Sequence, residues 1–328
     1  SSLTASVVGF LGPIPANQEE EYVAKRLVPN RDKVGYAGIE LQYQDALAGI
    51  NGRRLVQIDV AGQILRDIDP PIAPVPGANL VLTLDTRLQQ AAETILKNEI
   101  EEWNTYFGEI RYTSGVVIAM NPRTGEILSM VSYPSYENSR MARFIPAYYY
   151  RQLVEDPSNP LLNHAVGDVL PAGSVFKLTT AVGALNEGVV TPEQIIETPP
   201  KLLITEKYYA NDPGRSREFV DWNKAGFGAL NFVQGLANSS NVYFYKLGGG
   251  YQNEVPNGGL GICRLGTYAA ALGYGEAPGV GLPDEEKGLI PDPTWKRINH
   301  AESWSSGDTY IASVGQGYVL ATPIQVLI

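Results

Sequence analysis

Residues 70–77, Pro-Pro-Ile-Ala-Pro-Val-Pro-Gly, constrain this 328-residue chain more than any other stretch. Proline has no backbone N–H and a nearly fixed φ, so such a run enters neither a helix interior nor the middle of a sheet. It predicts a stiff extended connector, and therefore a chain in two parts, residues 1–75 and 76–328. Ahead of it, residues 19–26 read as a short helix, Pro29-Asn30-Arg31-Asp32 as a turn, and residues 41–47 as a helix stopped by Gly49 and Asn51-Gly52. Residues 55–60 and 63–68 are two short strands joined at Ala61-Gly62.

Beyond the connector the pattern alternates. Residues 80–84 read as a strand, and Asp85 or Thr86 can cap a helix over 87–103, with Leu88, Ala91, Ala92, Ile95 and Ile100 near helical spacing. A hairpin follows, 114–120 and 126–131, turning at Asn121-Pro122-Arg123-Thr124-Gly125. Residues 135–170 look irregular and aromatic-rich. Residues 174–186 form an apolar helix ended by Gly188, a second helical pair flanks Ser239-Ser240-Asn241, and residues 248–261 form a Gly-rich loop. Helices beside antiparallel strands place the chain in the α+β (mixed α/β) class.

Charge and rare residues exclude several chemistries. With 25 basic and 35 acidic residues the net charge is −10, which repels phosphate backbones and argues against a nucleic-acid partner. One cysteine (Cys263) and two histidines (His164, His300) supply neither an internal disulfide nor a zinc cage, and no cofactor motif stands out. Cys263 reads as a small core residue. Asp284-Glu285-Glu286-Lys287 reads as a solvated turn, and Gly273-Tyr274-Gly275 with Gly279 and Gly281 lacks the spacing of a phosphate loop. A base, if one is used, falls to a carboxylate or a lysine. No apolar run approaches the ~18 residues that span a bilayer, so the expectation is that any anchor lies outside this stretch.

Pro171-Ala172-Gly173-Ser174-Val175-Phe176-Lys177 is the stretch richest in chemistry. The Pro-Ala-Gly breaker leaves Ser174 at the start of an apolar helix, among unpaired N–H groups and the positive end of the helix dipole. Lys177, three residues on, shares its face. Burial would lower the lysine pKa towards the neutral form that a base needs. Two readings stand on these residues: an ordinary cap with a solvated lysine, or a serine nucleophile with a lysine base. Phe176 and Leu178 beside the lysine favour burial and so the second. Ser239 and Asn241 likewise read either as caps at a helix break or as a hydroxyl and a carboxamide presented together to a substrate.

In this order and with these flanks, the two motifs resemble the active-site serine and second motif of penicillin-binding proteins and serine β-lactamases. Gly38-Ile39-Glu40, Tyr43, Leu47, Gly49 and Gly52 resemble the N-terminal pedestal of class B penicillin-binding proteins. The stretches 76–89, 119–128, Ser132-Tyr133-Pro134, Asp221-Trp222-Asn223, Gly226-Phe227-Gly228, Gly315-Gln316-Gly317-Tyr318 and 321–325 are similar to the transpeptidase domain of elongation-type members. The resemblance implies a penicillin-binding/β-lactamase-like transpeptidase domain over 76–328, and a partial pedestal over 1–75. It also implies peptidoglycan D,D-transpeptidation. Ser174 would attack the penultimate D-alanine carbonyl of a stem peptide and Lys177 would take its proton. Ser239 would relay it to the leaving amine, and Asn241 would hold the substrate amide.

The implied ligands are peptidoglycan stem peptides and β-lactams, the implied partner a membrane glycosyltransferase, and the implied location the extracytoplasmic face of the cell membrane. No lysine is followed by Ser/Thr-Gly, the family's third motif, so the chain is expected to stop short of the C-terminal strands. A β-lactam sensor, a β-lactamase-like hydrolase and a non-catalytic cell-wall scaffold remain the alternatives.

Overall fold

The computed structural model describes residues 3–141, 145–206 and 215–328. The chain divides into two compact units, Ser1–Gly167 with Gly279–Glu285, and Asp168–Pro278 with Glu286–Ile328. Both combine helices with two-stranded antiparallel ladders, which is the α+β class expected.

The first unit opens with α1 (Ala5–Val8), β1 (Leu11–Pro13), α2 (Glu19–Ala24), β2 (Lys33–Gly35), α3 (Gly38–Gln42) and α4 (Gln44–Leu47), with β1 paired to β2. The single helix expected over 41–47 is thus two, separated at Tyr43. The break lets the buried Gln44 side-chain amide oxygen accept the Gly35 N–H at 2.7 Å and tie α4 to β2. The hairpin β3 (Val56–Ile58) and β4 (Ile64–Asp67) turns where expected, with Gly62 at φ +80°. The proline-rich connector forms isolated bridges, Arg53 to Ile72 and Ile50 to Val75.

Asp85 caps α5 (Thr86–Phe107) by accepting the Arg87 and Leu88 N–H groups, and Gly108, in a left-handed conformation, ends it. The helix lies against the hairpin β5 (Gly115–Met120) and β6 (Ile127–Tyr133). Buried Gln89 locks the two together: it donates to the Met130 carbonyl at 2.8 Å and accepts from the Met130 N–H and the Ser129 hydroxyl.

Two expectations fail here for physical reasons. Residues 80–84 join no ladder among the described residues. The Thr83 hydroxyl and the Asp85 N–H reach Ile127 and Leu128 carbonyls, and Leu80, Val81 and Leu82 stay exposed, so the run has no buried face to hold a register. The stretch 135–170, expected irregular, carries α6 (Asn138–Met141), α7 (Ala147–Glu155) and α8 (His164–Gly167). α6 and α7 are too short to show a period, and tertiary packing stabilises them: Tyr136, Met141, Tyr149 and Leu153 cluster with Ala5 and Phe10. The expected solvated turn at 284–287 is also more than that. The Glu285 carboxylate accepts the N–H groups of Gly279, Val280, Gly281 and Leu282 at 2.7, 3.2, 2.8 and 3.1 Å.

In the second unit β7 (Leu170–Pro171) leads through a 3₁₀ turn, Gly173–Phe176, into α9 (Lys177–Asn186). Next come β8 (Ile196–Thr198), β9 (Lys201–Glu206), β10 (Arg215–Val220), β11 (Gly228–Leu230), α10 (Phe232–Ala237), α11 (Asn241–Gly249) and α12 (Ile262–Ala271). α13 (Pro293–His300), α14 (Ser306–Ser313), β12 (Leu320–Ala321) and α15 (Pro323–Leu327) complete it. β8 pairs with β11, β9 with β10, and β7 with β12, all antiparallel. α11 is the core of this unit: Val242, Tyr243, Phe244 and Leu247 are fully buried, packed in one cluster with Phe176, Ala184, Ile196 and Leu260. A helix apolar on every side is stable only in such a place.

α9 differs from α11. Thr179, Thr180, Ala181 and Ala184 are buried, whereas Val175, Leu178, Val182 and Leu185, at spacings of three and four, are exposed. Burial of its whole circumference, as the composition suggested, is therefore corrected to burial of one face. Cys263 is exposed rather than part of the core, because the buried face of α12 is Ile262, Leu265 and Ala269.

Candidate active site

Ser174 is delivered by a turn held from a distance. The Gly173 N–H donates to the Gly315 carbonyl at 2.8 Å, beside the β7–β12 ladder. Gly315 has φ +69°, and a Cβ there would lie 2.3 Å from the Gly173 oxygen and 2.6 Å from Phe176 Cβ. Any side chain at 315 would displace the serine turn. Phe176, fully buried and edge-on to Tyr274 at 5.2 Å, anchors the other side of the turn. Ser174 itself is exposed and lies inside the 3₁₀ turn, so it is not the N-cap of α9, whose cap position is Phe176.

Lys177 begins α9 and is only 1% exposed. Its Nζ donates to Ser174 Oγ at 3.2 Å, Ser239 Oγ at 3.0 Å, the Ser239 carbonyl at 2.7 Å and Asn241 Oδ1 at 2.7 Å. The Phe244 ring centroid lies 5.7 Å away. Four oxygens compete for three N–H bonds, and among the described residues Lys177 makes no ion pair. Burial brings its pKa down to about 8, against the upward pull of the Asp221 charge.

The second motif sits at the α10–α11 junction. Ser239 takes a left-handed conformation, φ +48°, that a non-glycine residue holds only when its surroundings enforce it. That turn aims its hydroxyl and carbonyl at Lys177. Ser240 caps α11 by accepting the Tyr243 N–H at 3.2 Å, and Asn241 presents its carbonyl oxygen from the first residue of the helix.

The structure thus brings all four candidate residues, Ser174, Lys177, Ser239 and Asn241, to one point. Neither histidine is among the partners of Lys177: His164 is buried in the first unit, and His300 packs on Tyr318 at 4.8 Å. Reasoning from residue chemistry missed two contributors. Gly315 acts through backbone space, holding the turn that carries Ser174. Asp221 reaches the second motif from the end of β10 and accepts from Ser240 Oγ at 2.6 Å. No local pattern marks either, apart from the family-like stretches that contain them. Among the described residues, no group of three or more His, Cys, Asp or Glu is placed to hold a metal ion.

Residues 115–327 match the family model described as the penicillin binding protein transpeptidase domain. The chain belongs to that family. All four candidate residues lie inside the match, and residues 1–82 match the penicillin-binding protein dimerisation domain. The chain is 31% identical over 326 residues to the peptidoglycan D,D-transpeptidase MrdA of Salmonella typhimurium, covering 98% of this chain and 47% of that protein. It spans about half the length of the curated relatives it matches. Among solved structures it is similar to the penicillin-binding protein PBP2 of Helicobacter pylori in complex with MreC, with TM-score 0.81, 30% identity, and 99% of this chain and 54% of that one covered. A further similar structure, solved in work on polymerization and crosslinking by a peptidoglycan synthase complex, has TM-score 0.80, 32% identity, and coverage of 98% and 52%.

The geometry of this transpeptidase-family site permits one kind of chemistry readily. A lysine that is neutral in a good fraction of molecules near pH 8 lies within hydrogen-bond reach of an exposed serine hydroxyl. A second hydroxyl, that of Ser239, lies 3.0 Å from the same amine. Acyl transfer by a serine–lysine pair requires these parts.

Proposed function

We propose that this chain carries the acyl-transfer machinery of a peptidoglycan D,D-transpeptidase, with residues 1–75 as its pedestal segment and 76–328 as its transpeptidase domain. The observation that carries the reading is the Lys177 amine, buried with no ion-pair partner among the described residues and shared between Ser174, Ser239 and Asn241. Lys177 removes the Ser174 proton as Oγ attacks the penultimate D-alanine carbonyl of a stem peptide. The tetrahedral intermediate collapses, and the terminal D-alanine leaves as the amine protonated through Ser239. The acyl-enzyme ester is then attacked by an amine of a neighbouring strand, which forms the cross-link and returns the proton and the free serine. Asn241 holds the substrate amide. β-Lactams acylate Ser174 as mimics of the D-alanyl-D-alanine end, and their ring-opened ester persists.

The family match and the MrdA and PBP2 likenesses support this reading. They also support placing the parent protein at the cell membrane with this domain on the extracytoplasmic face. Among the described residues no helix is long and apolar enough to cross a membrane. The partner we propose is a membrane glycosyltransferase, consistent with the synthase complex in which a similar chain was solved.

The test is intact-mass spectrometry after incubation with benzylpenicillin, beside a Ser174→Ala control. The expected result is one stable adduct of an opened β-lactam on the wild-type chain and none on the control. A folded chain that gains no adduct, or a control that still gains one, overturns the assignment.

A further inference from the structure

We propose that Asp221 is a positioning residue of this site, holding the Ser239–Asn241 turn in register with Lys177. The inference rests on the serine–lysine reading above, and it starts from a carboxylate that is 5% exposed and forms no ion pair among the described residues. Asp221 follows β10, its own N–H fixed to the Pro200 carbonyl at 2.9 Å. Its Oδ2 accepts from Ser240 Oγ at 2.6 Å and the Val242 N–H at 3.1 Å, and its Oδ1 from the Asn241 N–H at 3.2 Å and the Trp222 N–H at 2.8 Å. Trp222 closes the other side of the turn, with Nε1 donating to the Asn238 carbonyl at 3.0 Å.

Three of the four oxygens that surround Lys177 Nζ belong to this turn: Ser239 Oγ, the Ser239 carbonyl and Asn241 Oδ1. The turn contains a strained left-handed serine, so something outside it must hold it. Asp221 does so by charge-assisted hydrogen bonds, which are the strong ones. An N-cap alone would need only one of these contacts, and Ser240 already provides that by accepting the Tyr243 N–H.

Asp221 also acts on Lys177 through its charge. The groups facing the lysine are the hydroxyls of Ser174 and Ser239, the Asn241 carboxamide and the Phe244 ring, all neutral, with the Asp221 carboxylate behind the turn. Tyr245 is pushed up to about 12 by burial and then by the Asp221 charge, while Arg217 pulls that tyrosine the other way. Removing the carboxylate charge therefore lowers the Lys177 pKa further below its ordinary range, leaving more neutral base at lower pH while loosening its geometry.

The experiment uses the intact protein with Asp221→Asn, Asp221→Ala and Ser240→Ala. Two quantities are read from pH 6 to 10: the benzylpenicillin acylation rate by intact mass, and the titration of the Lys177 ε-carbon by ¹³C NMR, assigned with Lys177→Arg. For Asp221→Ala we expect acylation slower by about 10²-fold, the cost of a displaced reacting group. For Asp221→Asn we expect roughly tenfold, the cost of a weakened charge-assisted bond. In both, the Lys177 midpoint and the rising limb of the rate move to lower pH. Ser240→Ala, which removes a contact and keeps the charge, slows acylation without moving the midpoint.

Asp221 variants that acylate within twofold of wild type, or that slow while the Lys177 midpoint stays put, overturn the inference and leave Asp221 a structural cap. The NMR arm needs no activity. A wild-type chain that fails to acylate sinks the serine–lysine reading, and the midpoint shift in Asp221→Asn still decides whether the carboxylate acts on Lys177.

Discussion

Lys177 and Lys246 are each 1% exposed, on α9 and α11 of the same unit, yet they are satisfied by opposite chemistry. Lys246 meets a carboxylate, Glu254 at 2.8 Å, and the Glu197 carbonyl at 2.7 Å, and lies 4.3 Å from the Tyr251 ring centroid. It closes the 251–255 loop and β8 onto α11 and has no open side. Lys177 meets hydroxyls, a carbonyl and a carboxamide, and feels the Asp221 charge without touching that carboxylate. Lys296 makes the same point. Burial pushes its pKa down, but the Asp308 carboxylate at 2.7 Å and Glu302 at 3.3 Å outweigh that and raise it. A buried lysine becomes a base only where the fold withholds a contacting carboxylate; burial with one makes a clasp.

That contrast can be broken most sharply by Lys177→Arg. A guanidinium keeps the charge but never gives up its proton, so benzylpenicillin acylation measured by intact mass should fall about 10³-fold with the fold retained. The equivalent Lys246→Arg change should leave acylation within a few fold.

The next effect is opposite in sign at the two positions and is read in urea unfolding at pH 7. Lys246→Met strands the half-buried Glu254 carboxylate and should cost about 2 kcal/mol, less than a fully buried partner would. Lys177→Met strands no contacting carboxylate among the described residues. It removes an ammonium whose pKa is held at about 8 instead of 10.5, and should stabilise the chain by about 1–2 kcal/mol after its lost hydrogen bonds. Destabilisation by both would collapse the comparison.

The smallest signal is the pH dependence of the second difference. Lys177 has a folded pKa below its unfolded one, so its penalty is complete below about pH 8 and disappears as pH rises towards 10.5. Over that window the unfolded chain binds more protons, and wild-type stability rises with pH relative to Lys177→Met. The advantage of the methionine variant should therefore be flat from pH 6 to 8 and shrink above it in the same urea assay. An advantage that grows with pH would contradict the assignment.

Particular residues show how far the chain could be read without its fold. Asp85 capping α5 and the turn at 121–125 follow from neighbours in sequence, whereas the helix runs to Phe107, past the end expected at 103. The strand expected at 80–84 fails because a ladder needs a partner edge, which five apolar residues do not specify. α7 was unreadable because its buried side consists of Tyr149 and Leu153, too few positions for a period. Lys177 was rightly expected to be buried, but not because α9 is apolar all round, since Leu178 beside it is 57% exposed.

The sequence by itself determined the local pieces and the chemistry available to them. It placed the serine and lysine three residues apart at a helix start and a Ser-Asn pair at a helix break, and with only two histidines it pointed base work to a carboxylate or a lysine. Caps, turns and helical periods are set by dihedral angles and contacts within a few residues, so they are written locally. The tertiary structure alone decided that Lys177 meets Ser239 62 residues away and Asn241 64 away, that Gly315 supports the serine turn, and that Asp221 stands behind the second motif. It alone decided, too, which buried lysine has a carboxylate in contact. Solvation and charge depend on whatever packs nearby in space, and that is settled only when the distant segments meet.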